Sequence, residues 1–310
     1  MHSRPLIAVL GATGAQGAGL VRAILADPAQ RYAVRAITRS PDGAAAKRLK
    51  AEGAEVAYGD LDDGSSLAAA FSGAQGLFAL APDADHASRE RQRVLNISTA
   101  LDLACVRHVV WSAPGGGRTM AGAQAAADAM LAGLPVTFLR PSFFWDNLVR
   151  FGMGPRRDTN GALLFVLPMG DRKLPGVAAR DVGCCALGVF RRGQSAIGRS
   201  IGLSGEHLSG AEMAAELGRV LSEPVRHVSM SFADYAALDF PGAAMLQHWH
   251  DSNAECCASW PVEPARELHA GLLSFREWLE ATVQHVPMRS TPHEATNGFG
   301  RLVTAPSPRR

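Results

Sequence analysis

The chain has 310 residues, 47% of them hydrophobic, with 31 basic side chains against 29 acidic ones. That composition is that of an ordinary folded protein and excludes a disordered or fibrous chain. A formal net charge of +2, with no basic run longer than pairs such as Arg156-Arg157 and Arg191-Arg192, leaves no electrostatic footprint for nucleic acid, so direct binding to it is not expected.

The N-terminal stretch Leu6 to Val21 is apolar enough to pass for a signal peptide. Gly11, Gly14, Gly17 and Gly19 interrupt it, however, and the same pattern continues beyond it, so it is expected to be folded structure. From there, apolar runs of strand length alternate with segments of helical period. The runs Leu6 to Leu10, Val34 to Thr38, Ala54 to Tyr58, Gly76 to Leu80, Val109 to Ser112 and Val136 to Leu139 predict six strands. Helices are predicted at Ala15 to Ala26, Ala44 to Glu52, Ser65 to Phe71, Ser88 to Ala104 and Gln124 to Ala132, ended by Pro28, Gly53, Gly73 and Gly133. Repeated β-α units force right-handed crossovers, hence an α/β fold with a doubly wound, Rossmann-type parallel sheet.

After Arg140 the rhythm changes. Helices are predicted at Asp181 to Phe190, Ser209 to Ser222, Ser231 to Leu238, Gly242 to His250 and Ser274 to Val286, and Ser200 to Leu203 is expected to return to the main sheet. The expected organisation is a dinucleotide-binding domain over residues 1–152, a smaller C-terminal α/β lobe over 153–286 with about 198–204 rejoining the sheet, and a mobile tail over 287–310 rich in Pro, Ser, Thr and Arg. No segment approaches the roughly 18 unbroken apolar residues of a membrane span. The five cysteines include the adjacent pairs Cys184-Cys185 and Cys256-Cys257, without redox or zinc spacing, so a cytoplasmic, reducing compartment and no metal are expected.

The first strand runs straight into Gly11-Ala12-Thr13-Gly14-Ala15-Gln16-Gly17 and then into a helix. Gly11 suits a tight turn, Gly14 lets a pyrophosphate approach the backbone, and Gly17 lets helix pack on strand, while the helix N-terminus supplies N–H groups and positive potential. At the end of the second strand, where an NAD site carries an acidic residue, stands Thr38-Arg39-Ser40-Pro41. Arg39 can pair with a 2′-phosphate, so NADP(H) is the expected cofactor, with Asp42 close enough to compete for the guanidinium.

Reductases on this fold commonly use a Tyr with a Lys four residues on as their proton source. Here Tyr32, Tyr58 and Tyr235 are followed at that spacing by Ala36, Asp62 and Asp239, and lysine occurs only at Lys47, Lys50 and Lys173. Ser112 ends the fifth strand without such partners and reads as a strand-end hydrogen bonder. His86, His108, His207, His248 and His250 are weak substitutes, since a spacing of two puts the last pair on different helix faces. No catalytic residue is assigned.

In order, Gly11 to Gly17, Thr38 to Pro41, Gly59-Asp60, Leu139-Arg140-Pro141-Ser142-Phe143-Phe144-Trp145-Asp146-Asn147, Leu167-Pro168-Met169-Gly170 and Phe240-Pro241-Gly242-Ala243 resemble the NmrA-like family of atypical short-chain dehydrogenase/reductases, above all its NADPH-sensing branch. The resemblance covers the chain to about Leu279. It implies an NADP(H)-binding redox sensor or regulator with a protein partner, and leaves a homodimer open. The alternative is an NADPH-dependent reductase of quinones or similar small acceptors. By position it implies a pyrophosphate loop of Gly11, Ala12, Thr13, Gly14, Ala15 and Gln16, and a 2′-phosphate site of Arg39, Ser40 and Pro41. It further implies adenine neighbours Asp60 and Leu61, a nicotinamide-side strand end at Ala81 and Pro82, and a cleft wall of Phe144, Trp145, Asp146 and Asn147. Sensing members resemble one another in two lysines on the helices after strands four and five, where this chain has Val94 and Gly122.

Overall fold

A run such as Leu6-Ile7-Ala8-Val9-Leu10 offers neither face to water and must be covered on both, which a parallel sheet wound with helices provides. The computed structural model of the protein describes residues 4–81, 87–113, 128–238, 257, 260–282 and 289–290. Six strands follow one another as β1 (Leu6–Leu10), β2 (Ala33–Thr38), β3 (Glu55–Tyr58), β4 (Gly76–Leu80), β5 (His108–Ser112) and β6 (Val136–Pro141). Four helices accompany them: α1 (Ala15–Leu25), α2 (Ala44–Ala51), α3 (Gly64–Phe71) and α4 (Ala87–Ala104). The strand Ser200–Leu203 pairs in parallel with Phe138–Pro141 and completes a seven-stranded sheet. From that strand, the order runs β6, β5, β4, β1, β2, β3, and every neighbouring pair is parallel.

The expected elements are present with ends displaced by a residue or two. β6 runs two residues past Leu139 because Gly202 and Leu203 give Arg140 and Pro141 a pairing partner. The helix expected over Gln124 to Ala132 lies outside the described residues as far as residue 127, and those expected over Gly242 to His250 and beyond Thr282 fall wholly outside them. No helix among the described residues is long and apolar enough to cross a membrane.

The described residues divide into two compact units, the first drawn from Met1–Ser142, Ala179–Leu203 and Pro261–Leu272, the second from Phe143–Ala178, Ser204–Trp260 and Leu273–Arg310. In the first, α3 and α4 cover one face of the sheet over Phe71, Leu77, Ile97, Leu101 and Trp111. On α1 the backbone itself is the contact surface. A Cβ on Gly19 would strike the Arg180 carbonyl, and one on Gly183 would strike Gln16 O and Leu20 N. The helix Ala179–Arg192 therefore belongs to this unit. So does Glu263–Leu268, whose Leu268 carbonyl lies where Gly188 would carry a Cβ. Both come late in the chain, and backbone contact decides where they pack.

The second unit holds a three-stranded sheet, in which Lys173–Val177 lies between Glu206–Ser209 and Phe143–Phe144, and a four-stranded sheet built on Leu163–Val166. Its core is Trp145, Phe165, Tyr235, Phe275 and Trp278. The helix Gly210–Leu221 opens with a capping box between Ser209 and Glu212, which satisfies two of its orphan backbone donors.

His108 opens β5 as a buried residue, its ring edge-on to Phe190 with centroids 5.4 Å apart. Its Nε2 lies 2.9 Å from Thr137 Oγ1, and that hydroxyl donates its own proton to Ala196 O at 2.7 Å. Nε2 must therefore carry a proton and donate it to Thr137 Oγ1. Burial lowers its pKa from the usual histidine range. A depressed folded-state value means that stability is whole above the unfolded pKa of about 6.5 and declines as pH falls below it, because only the unfolded chain takes the proton. The denaturant midpoint should drop between pH 7 and pH 5, and His108→Gln should flatten that part of the profile; an unchanged slope in the variant would refute the assignment.

Candidate cofactor site

All seven strands of the main sheet point the same way, so the residues after their C-terminal ends gather along one edge. Chain order reverses there between β1 and β4, the position at which open parallel sheets bind ligands. The loop from β1 to α1 lies at that point. Gly11 has φ +70°, a left-handed conformation that favours glycine, and its carbonyl accepts the Gly14 N–H at 3.0 Å. A Cβ on Gly17 would meet the Gly11 carbonyl and lie 2.8 Å from Ala12 Cα, so helix and strand touch through that glycine.

Gly14 differs from both. Its φ of −84° is ordinary, and an added Cβ would meet only Gly11 O, at 3.4 Å. Packing does not require a glycine there. What its bareness leaves clear is the approach to the start of α1, where no side chain caps the helix and no acidic residue occupies the first turn. An uncapped helix N-terminus with an unobstructed glycine in front of it fits a pyrophosphate.

Beside it, after β2, the chain turns on Thr38 and Ser40: the Ser40 N–H donates to Thr38 Oγ1 at 3.2 Å and the Gly43 N–H to Ser40 O at 3.0 Å. The turn leaves Arg39 and Ser40 exposed and Pro41 half-buried. Among the described residues Arg39 forms no ion pair, with Asp42 or any other carboxylate. The next loop, after β3, carries three aspartates, and each is engaged. Asp60 accepts the Asp62 N–H at 3.0 Å, and Asp63 caps α3 through Ser65 and Ser66. Asp62 is gripped by Arg89 at 2.7 Å and Arg93 at 2.8 Å, and these guanidiniums, Arg93 foremost, hold its carboxyl well below the usual range. Asn96 Nδ2 donates to Leu61 O at 2.8 Å, so Asp60 and Leu61 stand on a loop tied to α4.

Ala81 follows β4, its N–H donating to Ser112 O at 2.9 Å, and Pro82 lies outside the described residues. Ser112 is buried and donates from Oγ to Gln16 Oε1 at 2.7 Å. The sequence singled out both residues without showing that they meet. Val94 is a core residue of α4; Gly122, His86, His248, His250 and the Phe240 to Ala243 turn lie outside the described residues. Tyr32 donates to Phe190 O at 3.0 Å. Tyr235 is buried in the second unit, where desolvation pushes its phenol pKa up. In that unit His207 Nε2 bonds Trp260 O at 2.8 Å. Trp145 fills the space left by Gly176 and lies edge-on to Phe275 with centroids 5.4 Å apart. Asn147 is buried as well, while Phe144 and Asp146 remain partly exposed.

A family model described as the NmrA-like family matches residues 3–280. The chain is 28% identical over 268 residues to an NAD(P)H azoreductase of Xenophilus azovorans, covering 83% of this chain and 88% of that protein. Among solved structures it is similar to NmrA, a negative transcriptional regulator, with a TM-score of 0.73, 21% identity, and coverage of 91% of this chain and 97% of that one. It is also similar to an NADPH-dependent quinone oxidoreductase of Escherichia coli complexed with NADPH, with a TM-score of 0.71, 22% identity, and coverage of 89% and 99%. At these identities the structural likenesses show the fold.

Gly14 and Gly17 should respond differently to substitution. Gly14→Val should fold normally and lose dinucleotide binding in calorimetry, because its side chain would occupy the pyrophosphate's space. Gly17→Ala should lose stability, by about 1–3 kcal/mol for an overpacked contact, in denaturant titration. Retained affinity in folded Gly14→Val would refute the placement of the loop.

Proposed function

The chain belongs to the NmrA-like family, and from that membership we propose that it binds NADP(H) at the C-terminal edge of the main sheet and reduces acceptors that need no proton from a protein acid. The observation that carries the cofactor reading is the bare, unobstructed Gly14 before an uncapped helix. Arg39, exposed and without an ion pair among the described residues, supplies the preference for the 2′-phosphate through a charge-assisted contact that NAD(H) cannot make. Ser40 and Pro41 shape the turn that presents it, Asp60 and Leu61 border the adenine, and Ala81 borders the nicotinamide side. Ala12, Thr13, Ala15 and Gln16 complete the pyrophosphate loop.

Bound NADPH supplies a hydride. The chain's contribution to the proton is what distinguishes the acceptors. No Tyr is followed by a Lys four residues later, and the Ser112 hydroxyl is committed to Gln16. Quinones, and azo dyes in their quinonoid hydrazone form, can take a hydride and collect their proton from water, whereas a simple ketone needs an acid placed at its oxygen. The named activity of the azoreductase relative supports the same choice. A regulatory use would instead require cofactor binding to favour one of two conformations that a partner protein distinguishes.

Arg39→Ala should weaken NADPH binding about tenfold or more while leaving NADH affinity nearly unchanged, as loss of a hydrogen bond to a charged group implies; equal affinity for both nucleotides in the parent protein would refute the role of Arg39. In a turnover panel followed at the nicotinamide absorbance band, quinones and azo dyes should be reduced. Aldehydes and ketones should be slower by about 10² to 10⁴, the usual contribution of a general acid. Efficient ketone reduction would overturn the reading, and silence across the panel with NADPH bound would favour regulation.

A further inference from the structure

Asp181 and Cys184 stand three residues apart in the helix Ala179–Arg192, so their side chains leave the same helix face. Glu263–Leu268 ends beside them at His269, whose backbone is already extended, with φ −148° and ψ 101°. A carboxylate oxygen of Asp181, the Sγ of Cys184 and a ring nitrogen of His269 all lie within 4.8 Å of one another. Asp181 is fully buried, and the other two are half-buried. The two helices are locked together at backbone distance by Gly188 against Leu268 O and by the Cys185 thiol donating to Ala265 O at 3.7 Å.

We propose that Asp181, Cys184 and His269 form a binding site for one divalent transition-metal ion of the zinc class. Zinc takes oxygen and nitrogen donors at about 2.0–2.2 Å and thiolate sulfur at about 2.3 Å, so donors on one tetrahedral ion stand about 3.3–3.8 Å apart. With all three donors within 4.8 Å of one another, they stand within about 1 Å of that spacing. Three protein ligands leave a fourth position for water, and a thiolate with an imidazole selects zinc or cobalt over magnesium and calcium.

A Cys-His-Asp arrangement also invites a nucleophilic reading, and electrostatics oppose it. Burial, with the Asp181 charge added, pushes the Cys184 thiol up to about 11, whereas a nucleophilic cysteine needs the opposite shift. A bound cation reverses that balance and deprotonates the thiol outright. Arg180 Nε lies 3.5 Å from Asp181 Oδ1 on a largely exposed side chain, so it can withdraw as the ion enters.

Metal-free full-length protein titrated with cobalt(II) should develop a thiolate-to-cobalt charge-transfer band that saturates at one equivalent and is displaced by zinc(II). The thermal midpoint should rise with loading, because binding to the folded state alone is folding free energy. Cys184→Ser should abolish the band, His269→Gln should weaken binding at least about tenfold, and Cys105→Ser, at an exposed thiol elsewhere, should leave it intact. Circular dichroism confirms folding of each variant, and His269→Gln carries the test if Cys184→Ser does not fold. Absence of the band in the parent protein, its survival in folded Cys184→Ser, or unchanged affinity in His269→Gln would overturn the proposal. The titration needs no nucleotide, so its result is independent of the cofactor reading.

Discussion

The first unit depends on how closely α1 can be pressed from two sides. Gly17 brings it onto the turn at Gly11 and Ala12, while Gly19 and Gly183 bring it onto the helix Ala179–Arg192. Each contact has a carbonyl or amide where a side chain would otherwise be, so a single methyl group would force the backbones apart in an interior packed at crystal density. Because α1 is fixed in this way, its free N–H groups hold one position at the sheet's switch point. An anion site made of backbone groups has no side chains to adjust, and it is only as exact as the helix that carries it.

The loops that border this point are held by other means. After β2 a hydroxyl and a carbonyl close the turn and leave Arg39 exposed at its tip. After β3 the aspartates are consumed within the loop or by the α4 arginines. That arrangement keeps negative charge engaged near the proposed phosphate site. The resulting edge suits an anionic ligand although the chain as a whole carries a charge of only +2. Local placement of charge, and not net charge, sets the potential a phosphate meets.

Much of this was legible in the residues. The alternation of apolar runs with helical segments marked the parallel sheet, because strands buried on both faces have no polar side to give. The glycine roles followed from steric reasoning: Gly11 does adopt positive φ, and Gly17 is the contact between helix and strand. The return of Ser200–Leu203 to the sheet was expected, and its alternating Ile201 and Leu203 are buried there. The missing Tyr and Lys pair is a property of the sequence alone, since the spacing it requires is local.

Other features were decided by tertiary structure, because they join residues far apart in the chain and carry no local periodicity. Ser112 meets Gln16 only because β5 and the start of α1 reach the same sheet edge. Trp145, read as part of a cleft wall, is spent largely on the core beside Gly176 and Phe275, a partnership that no spacing announces. The helices Ala179–Arg192 and Glu263–Leu268 pack with the main sheet although much of the second unit's chain comes between them, and their contact is what gathers Asp181, Cys184 and His269. Metal-ligand spacing in a sequence is visible when the ligands share one short segment. Here an i, i+3 pair on one helix meets a histidine brought in by another, and only backbone packing through Gly188 could place them together. The sequence determined the elements and the chemistry each could offer; packing determined which of those groups would meet.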